Sequence, residues 1–289
     1  MRDQHFDSLI PLLILGEGRS GTTLLMQLLG TSRRIAFDRI YPYEVRYLTY
    51  LLQWALLLGR KSEPDEYWNP AKSASTPDGL IGPLPHPDAQ IWDGQAMWPS
   101  CFRHAWRLFT SVAARGATAD ATVLYYAEKV SHWIPECLQQ AIPYKIIVLV
   151  RDPRDVFLSV TAFDKKRGFS GFDRLPEDDD WTYARRFIDL QKGRFPLMHN
   201  EATSPRGILV KYERLAMDLA GEAKRLSEWL GLELNAKAVE DQASEFAHHM
   251  TSDNPHASVG RWRREMSQDM NEFFLGELGE EMRYFGYTY

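Results

Sequence analysis

The residues best suited to chemistry form one continuous run near the start of the chain, Gly16-Glu17-Gly18-Arg19-Ser20-Gly21-Thr22-Thr23. Its glycines permit positive φ and close backbone approach, so several N–H groups can turn toward a single point. Arg19 adds a guanidinium fork, and Ser20, Thr22 and Thr23 add hydroxyls. Such a point suits an anion, most naturally a phosphate. The spacing approaches that of the nucleotide loop GxxxxGK[ST], in which a lysine reaches the terminal phosphates and a hydroxyl holds magnesium. That lysine is missing here, and Arg19 supplies the cation from within the loop.

The elements around the loop must aim it. Ile10 to Leu15, with Pro11 near its start, predicts a strand buried on both faces. Leu24, Leu25, Leu28 and Leu29 then recur at helical spacing, so the positive end of a helix dipole adds to the loop N–H groups. A second strand-to-helix corner lies at Lys145–Val150, KIIVLV, followed by RDPRDVFLSV. Asp152 is expected as N-cap and Pro153 at the first helical position, with Arg151 at the strand end and Ser159 two turns into the helix. A third strand is expected at Thr122 to Tyr126, ending in AEKVSHW. Glu128, Lys129 and His132 there occupy the place of active-site groups in open α/β sheets, beyond the carboxyl ends of the strands. The alternative is a surface salt bridge beside a helix, Ile134 to Gln140, capped by Ser131.

Further strands are expected at Arg34 to Phe37 and Gly207 to Tyr212, and a helix from Pro42 to Gly59 carries Glu44 in its first turn, where a carboxylate suits the dipole. Asp164 to Asp180 reads as a loop before a helix over Trp181 to His199, and Asp218 and Gly231 bracket another helix. Glu63 to Asp120 is rich in proline and tryptophan, with a helix only over Met97 to Ala114. It is read as a cover over an acceptor pocket, with satellite core as the alternative. In the tail, Gly260 and Arg261, followed by Trp262, Arg263 and Arg264, form a basic element able to close on phosphates.

With 289 residues, 44% hydrophobic and 12% aromatic, the chain can bury a substantial core as one large α/β domain. A net charge of −5 argues against a nucleic-acid partner. Cys101 and Cys137, far apart and outside any CxxC, point to a reducing compartment, and the paired His248 and His249 lack a third partner for zinc. The apolar stretch from Tyr47 to Gly59 falls short of the roughly 18 residues of a membrane span, and a cytoplasmic location is expected.

The string GRSGTTLL, Gly18 to Leu25, together with Arg151 and Ser159 in RDPRDVFLS, resembles the sulfotransferases that use 3′-phosphoadenosine 5′-phosphosulfate (PAPS). The resemblance spans Ile10 to about Arg264 but not Glu63 to Asp120, and implies a three-layer α/β sandwich with a central parallel sheet, of the P-loop NTPase-like sulfotransferase kind. The chain is expected to be a single domain over 1–289, with 63–120 read from its composition as an acceptor-side insert or lid. It implies sulfuryl transfer from PAPS to an acceptor hydroxyl, leaving adenosine 3′,5′-bisphosphate (PAP), without a metal. Gly18, Arg19, Ser20, Gly21, Thr22 and Thr23 would hold the 5′-phosphosulfate, and Arg151 and Ser159 the 3′-phosphate. Tyr212, in YERL, would contact adenine, while Ser258, Gly260 and Arg261 would complete the site. Arg19 and Lys129 would receive charge on the leaving oxygen. Related enzymes commonly follow that lysine with a proline, where this chain has Val130 and Ser131. Glu44, in YPYEVRY, resembles the general base of the tyrosylprotein class, with His132 and then Glu128 as the other candidates. The acceptor would be a small-molecule, carbohydrate or peptide hydroxyl. A magnesium-dependent small-molecule kinase and a non-catalytic nucleotide-binding module are the competing readings, and an ATP site has no 3′-phosphate for Arg151 and Ser159 to hold.

Overall fold

A strand with no polar face needs cover on both sides, and β1 (Ile10–Gly16) finds it in the middle of a sheet. The computed structural model describes residues 9–61, 74–76, 79–82, 85–116, 123–130, 138–241, 251 and 254–287. In chain order the other strands are β2 (Ile35–Ala36), β3 (Ala74–Thr76), β4 (Gly79–Gly82), β5 (Tyr125–Val130), β6 (Lys145–Val150) and β7 (Gly207–Lys211). The described helices are α1 (Thr22–Leu29), α2 (Tyr47–Leu57), α3 (Gly94–Gly116), α4 (Leu138–Ala141), α5 (Pro153–Arg167), α6 (Asp180–Thr203), α7 (Tyr212–Met217), α8 (Leu219–Leu230), α9 (Ala236–Asp241), α10 (Trp262–Glu265) and α11 (Gln268–Tyr284). They divide into two compact units, the larger within 10–45, 117–133 and 144–289, the smaller comprising Leu9 and residues within 46–116 and 134–143.

The larger unit holds a five-stranded parallel sheet in the order β2-β5-β1-β6-β7. Ile14 lies opposite Lys129 on one side and Ile147 on the other, and Gly16 lies opposite Leu149. All five strands therefore end at the same edge, and the loops leaving β1 and β6 open side by side. Alternate residues serve opposite layers. Leu12, Ile14, Ile147 and Leu149 join Leu25, Leu28, Leu226 and Leu230 of α1 and α8 in one buried cluster. Beyond the other face, Phe157 of α5, Tyr183 and Phe187 of α6 and Phe274 of α11 meet ring to ring. This is the expected α/β sandwich around a parallel sheet.

The boundaries differ from expectation at several places, and α5 runs on to Arg167 where a loop was expected from Asp164. β5 begins later and runs through Glu128 and Lys129, so both lie within a buried strand rather than beyond its end. The tyrosines before them are held in the sheet: Tyr125 donates to the Leu230 carbonyl and Tyr126 to the Glu128 carboxylate. The second helix starts at Tyr47, so Glu44 stands in the preceding loop and owes nothing to a helix dipole. In the smaller unit α2 and α3 pack together. Trp98 and Trp106 are buried, and Trp106 donates to the Leu9 carbonyl at 2.9 Å. Trp68, Ser131, His132, Cys137, His248 and His249 lie outside the described residues.

Two helix starts follow the caps read from the sequence. Asp152 accepts from Arg154 N at 3.0 Å, and Asp218 accepts from Gly221 N at 2.9 Å. They differ in what else depends on them. Asp152 also holds the buried Arg154 guanidinium through 2.9 and 2.7 Å bonds, whereas among the described residues Asp218 holds only its helix. Asp218→Ala should cost about 1 kcal/mol, the worth of a cap. Asp152→Ala should cost about 3–5 kcal/mol, because a buried cation loses its partner. Urea unfolding of both variants checks the difference.

Candidate functional site

The loop between β1 and α1 is closed by its own backbone, since Ser20 N and Ser20 Oγ both donate to the Glu17 carbonyl, at 3.2 and 2.6 Å. The left-handed turns fall at Arg19 (φ 67°) and Gly21 (φ 98°). Gly18 is small for a different reason: a Cβ there would overlap the Phe172 ring. A Cβ on Gly21 would overlap the Tyr212 ring. Gly21 also stands at the N-cap of α1 with no side chain capping the helix, which leaves the first turn's N–H groups to whatever enters the loop.

The two anion grips lie together. Arg151, buried directly after β6, donates from Nη1 to the Arg19 carbonyl at 2.9 Å and from Nη2 to the Ser258 carbonyl at 2.7 Å. Arg19 in turn donates from Nε to Ser159 Oγ at 3.3 Å, and its guanidinium lies 4.3 Å over the Phe163 ring. Burial first, and then the like charge of Arg151, lowers the Arg19 pKa to about 10. It stays charged at neutral pH, and an anion between the two guanidiniums would relieve both the lost hydration and the repulsion. Beside them Tyr212, at the start of α7 rather than in β7, lies with its ring 4.4 Å under the Arg151 guanidinium and its hydroxyl 2.6 Å from Ser258 Oγ.

Lys129 comes to the same edge from β5. Its Nζ donates to Thr23 Oγ1 at 3.2 Å and to the Pro42 carbonyl at 2.6 Å, with Glu44 Oε1 at 3.8 Å. Lys129 is buried, whereas the Glu44 side chain is half exposed. The cation thus joins the phosphate loop to the one carboxylate of the YPYE segment.

The tail completes the arrangement. Ser258 Oγ donates to the Pro255 carbonyl, so its hydroxyl is taken up in holding the loop. Gly260 takes φ 67°, and Arg261 forks onto Glu265 at 3.0 and 2.6 Å while Nη1 reaches Thr251 Oγ1 at 3.2 Å. Thr251 lies 3.4 Å from Ser159 Oγ. A polar chain therefore runs from Arg261 through Thr251 and Ser159 to Arg19. Sequence reasoning missed Thr251, Asp155 and Glu213. Asp155 accepts from Gly260 N and Trp262 N, and Glu213 accepts from Asp152 N at 2.8 Å and from the Tyr287 hydroxyl. Only the acidic second half of RDPRD and the glutamate of YERL hinted at them. Burial pushes the carboxyls of Asp155, Glu213 and Glu17 up, against the pull of their donors and, for Glu17, of Arg194.

Among the described residues no three His, Cys, Asp or Glu side chains group as a metal site, and no helix is long and apolar enough to cross a membrane. A parallel sheet with a phosphate-type loop at its central strand, and two guanidiniums meeting there, defines a nucleotide-handling α/β protein. The model of the sulfotransferase domain family matches residues 9–286, and the chain belongs to that family. It is an enzyme that transfers sulfuryl groups. No curated protein matches the sequence. Among solved structures it is similar to the mouse sulfotransferase SULT7A1 complexed with PAP, at 15% identity and TM-score 0.50, over 96% of this chain and 87% of that one. It is also similar to the sulfotransferase domain from the curacin biosynthetic pathway, at 13% identity and TM-score 0.51, over 94% and 99%. The sulfotransferase domain from the Synechococcus PCC 7002 olefin synthase matches at 16% identity and TM-score 0.51, over 100% and 98%. At such identities the likeness is one of fold.

Gly21 tests the close approach at the loop. Gly21→Ala forces a side chain onto a left-handed backbone and against Tyr212. The strain should destabilise the fold by at least about 1 kcal/mol. Because the displaced ring lies under Arg151, binding of inorganic phosphate or a nucleotide should fall as well, as calorimetry would report.

Proposed function

We propose that this sulfotransferase takes PAPS as donor and moves its sulfuryl group in line to a hydroxyl. Arg19 and the N–H groups of the loop from Gly18 to Thr23 hold the 5′-phosphosulfate, while Arg151 and Ser159, with Arg261, hold the 3′-phosphate. The observation that carries the reading is the bond from Arg151 to the Arg19 carbonyl, which brings two cationic grips within the span of one nucleotide. A donor with one phosphate would leave half of that charge unused.

In-line transfer gives the enzyme little covalent work, so positioning and charge stabilisation supply the rate. Negative charge grows on the leaving phosphate oxygen, by analogy with phosphoryl transfer, and Arg19, Lys129 and the loop N–H groups would take it up. Glu44 takes the acceptor proton. Its place 3.8 Å from Lys129 puts base and cation on the same side of the loop, and its half exposure leaves it open to a substrate. Tyr212 forms part of the wall beneath the nucleotide. The acceptor is a small-molecule, carbohydrate or peptide hydroxyl, the domain works as one over 1–289, and the setting is cytoplasmic.

PAP at a hundredfold excess over its Kd should stabilise the protein by about 2.7 kcal/mol, visible as a raised Tm, while ATP at equal concentration should do far less. Equal stabilisation by the two would remove the 3′-phosphate from the reading. Arg151→Ala should abolish the preference. Glu44→Gln should bind PAP normally yet lose about 10²–10⁴-fold in kcat. Normal turnover by that variant would shift the base to another group.

A further inference from the structure

Arg261 is flanked on both sides by bonds to a single carboxylate. Asp155, in the first turn of α5 and 0% exposed, accepts from Gly260 N at 2.6 Å and from Trp262 N at 2.9 Å. Gly260 reaches this geometry through its left-handed φ of 67°, which turns two nearby N–H groups toward one acceptor. Slightly upstream, Arg151 and Tyr212 hold the carbonyl and hydroxyl of Ser258. The tail is therefore docked onto the same strand-end turn that supplies Arg151, four residues before Asp155.

The side chain of Arg261 is steered in turn. Glu265 occupies Nε and Nη2, so the remaining nitrogen, Nη1, points to Thr251 and through it to Ser159. A guanidinium held in this way from its backbone and from its far edge offers one fixed edge to an incoming anion. We propose that Asp155 is a positioning residue for the 3′-phosphate end of the donor site: by binding both amides around Arg261 it fixes where that guanidinium stands relative to Arg151 and Ser159. The proposal rests on the PAPS reading above. An ionised carboxylate is the right group, because each of its oxygens accepts from one amide. Asparagine would set its NH2 against one of those N–H groups, donor against donor.

Calorimetry with PAP and with adenosine 5′-monophosphate on the wild type, Asp155→Asn and Gly260→Ala tests this. Asp155→Asn should weaken PAP by about tenfold or more and the monophosphate by less than about twofold. Its KM for PAPS should rise by more than kcat falls. Gly260→Ala keeps the carboxylate but strains the left-handed turn and crowds Arg263, and should show the same selective loss. If Asp155→Asn does not fold, as a thermal melt would reveal, Gly260→Ala decides alone. Equal weakening of both nucleotides would make the contact merely structural, and unchanged PAP affinity in folded Asp155→Asn would overturn the proposal outright. A wild type without preference for PAP would sink the donor reading and this inference together. A wild type that prefers PAP, beside a variant that keeps the preference, would sink only the role of Asp155.

Discussion

Everything at the carboxyl edge of the sheet depends on a repulsive pair being held close. Arg19 and Arg151 are both buried or nearly so, and Arg151 donates its Nη1 to the carbonyl of Arg19. Two guanidiniums brought out of water cost free energy that neither recovers from the other. The fold offsets that cost with ring faces and carbonyls: Phe163 under Arg19, Tyr212 under Arg151, and the Ser258 carbonyl on Arg151 Nη2. An anion arriving between the two guanidiniums would relieve their repulsion, which suits the arrangement to binding one.

The sheet explains how this pair is maintained. Parallel strands β1 and β6 are in register neighbours, Gly16 beside Leu149, so the residues that follow each strand emerge a few ångströms apart. Buried carboxylates then fix the turn after β6. Asp152 takes Arg154, Glu213 takes the Asp152 amide, and Asp155 takes two amides of the tail. Arg154 lies 3.5 Å from the Trp262 ring, which ties the same turn to the tail by a second route. In the segment RDPRD, Arg151 reaches the Arg19 and Ser258 carbonyls while the two acids hold the turn beneath it.

Much of this was legible in the sequence because it was written in local terms. The apolar runs of β1 and β6, the Asp152 cap with Pro153 behind it, and the glycine loop all announce themselves within a few residues. The family resemblance of GRSGTTLL and of Arg151 with Ser159 rests on equally local strings. What escaped was set by distance along the chain. Thr251 reaches Ser159 across 92 positions, and Asp155 reaches Gly260 across 105. No pattern near Asp155 distinguishes a helix-start acid from a clamp on the tail. Glu44 illustrates the opposite error. The proline before it suggested a helix start, yet the helix begins at Tyr47, and the carboxylate stands in the loop, 3.8 Å from Lys129. The left-handed residue of the loop was likewise expected among glycines and fell partly to Arg19, while Gly18 is kept small by Phe172.

The most direct measurement of the central claim is a crystal structure of the protein with PAP. The account predicts one nucleotide bridging the edge, its 5′-phosphate on the N–H groups of the loop around Gly21 and its 3′-phosphate hydrogen-bonded to Arg151 and Ser159. A nucleotide that touches Arg19 but leaves Arg151 bound only to carbonyls, with its 3′-phosphate in solvent, would contradict it.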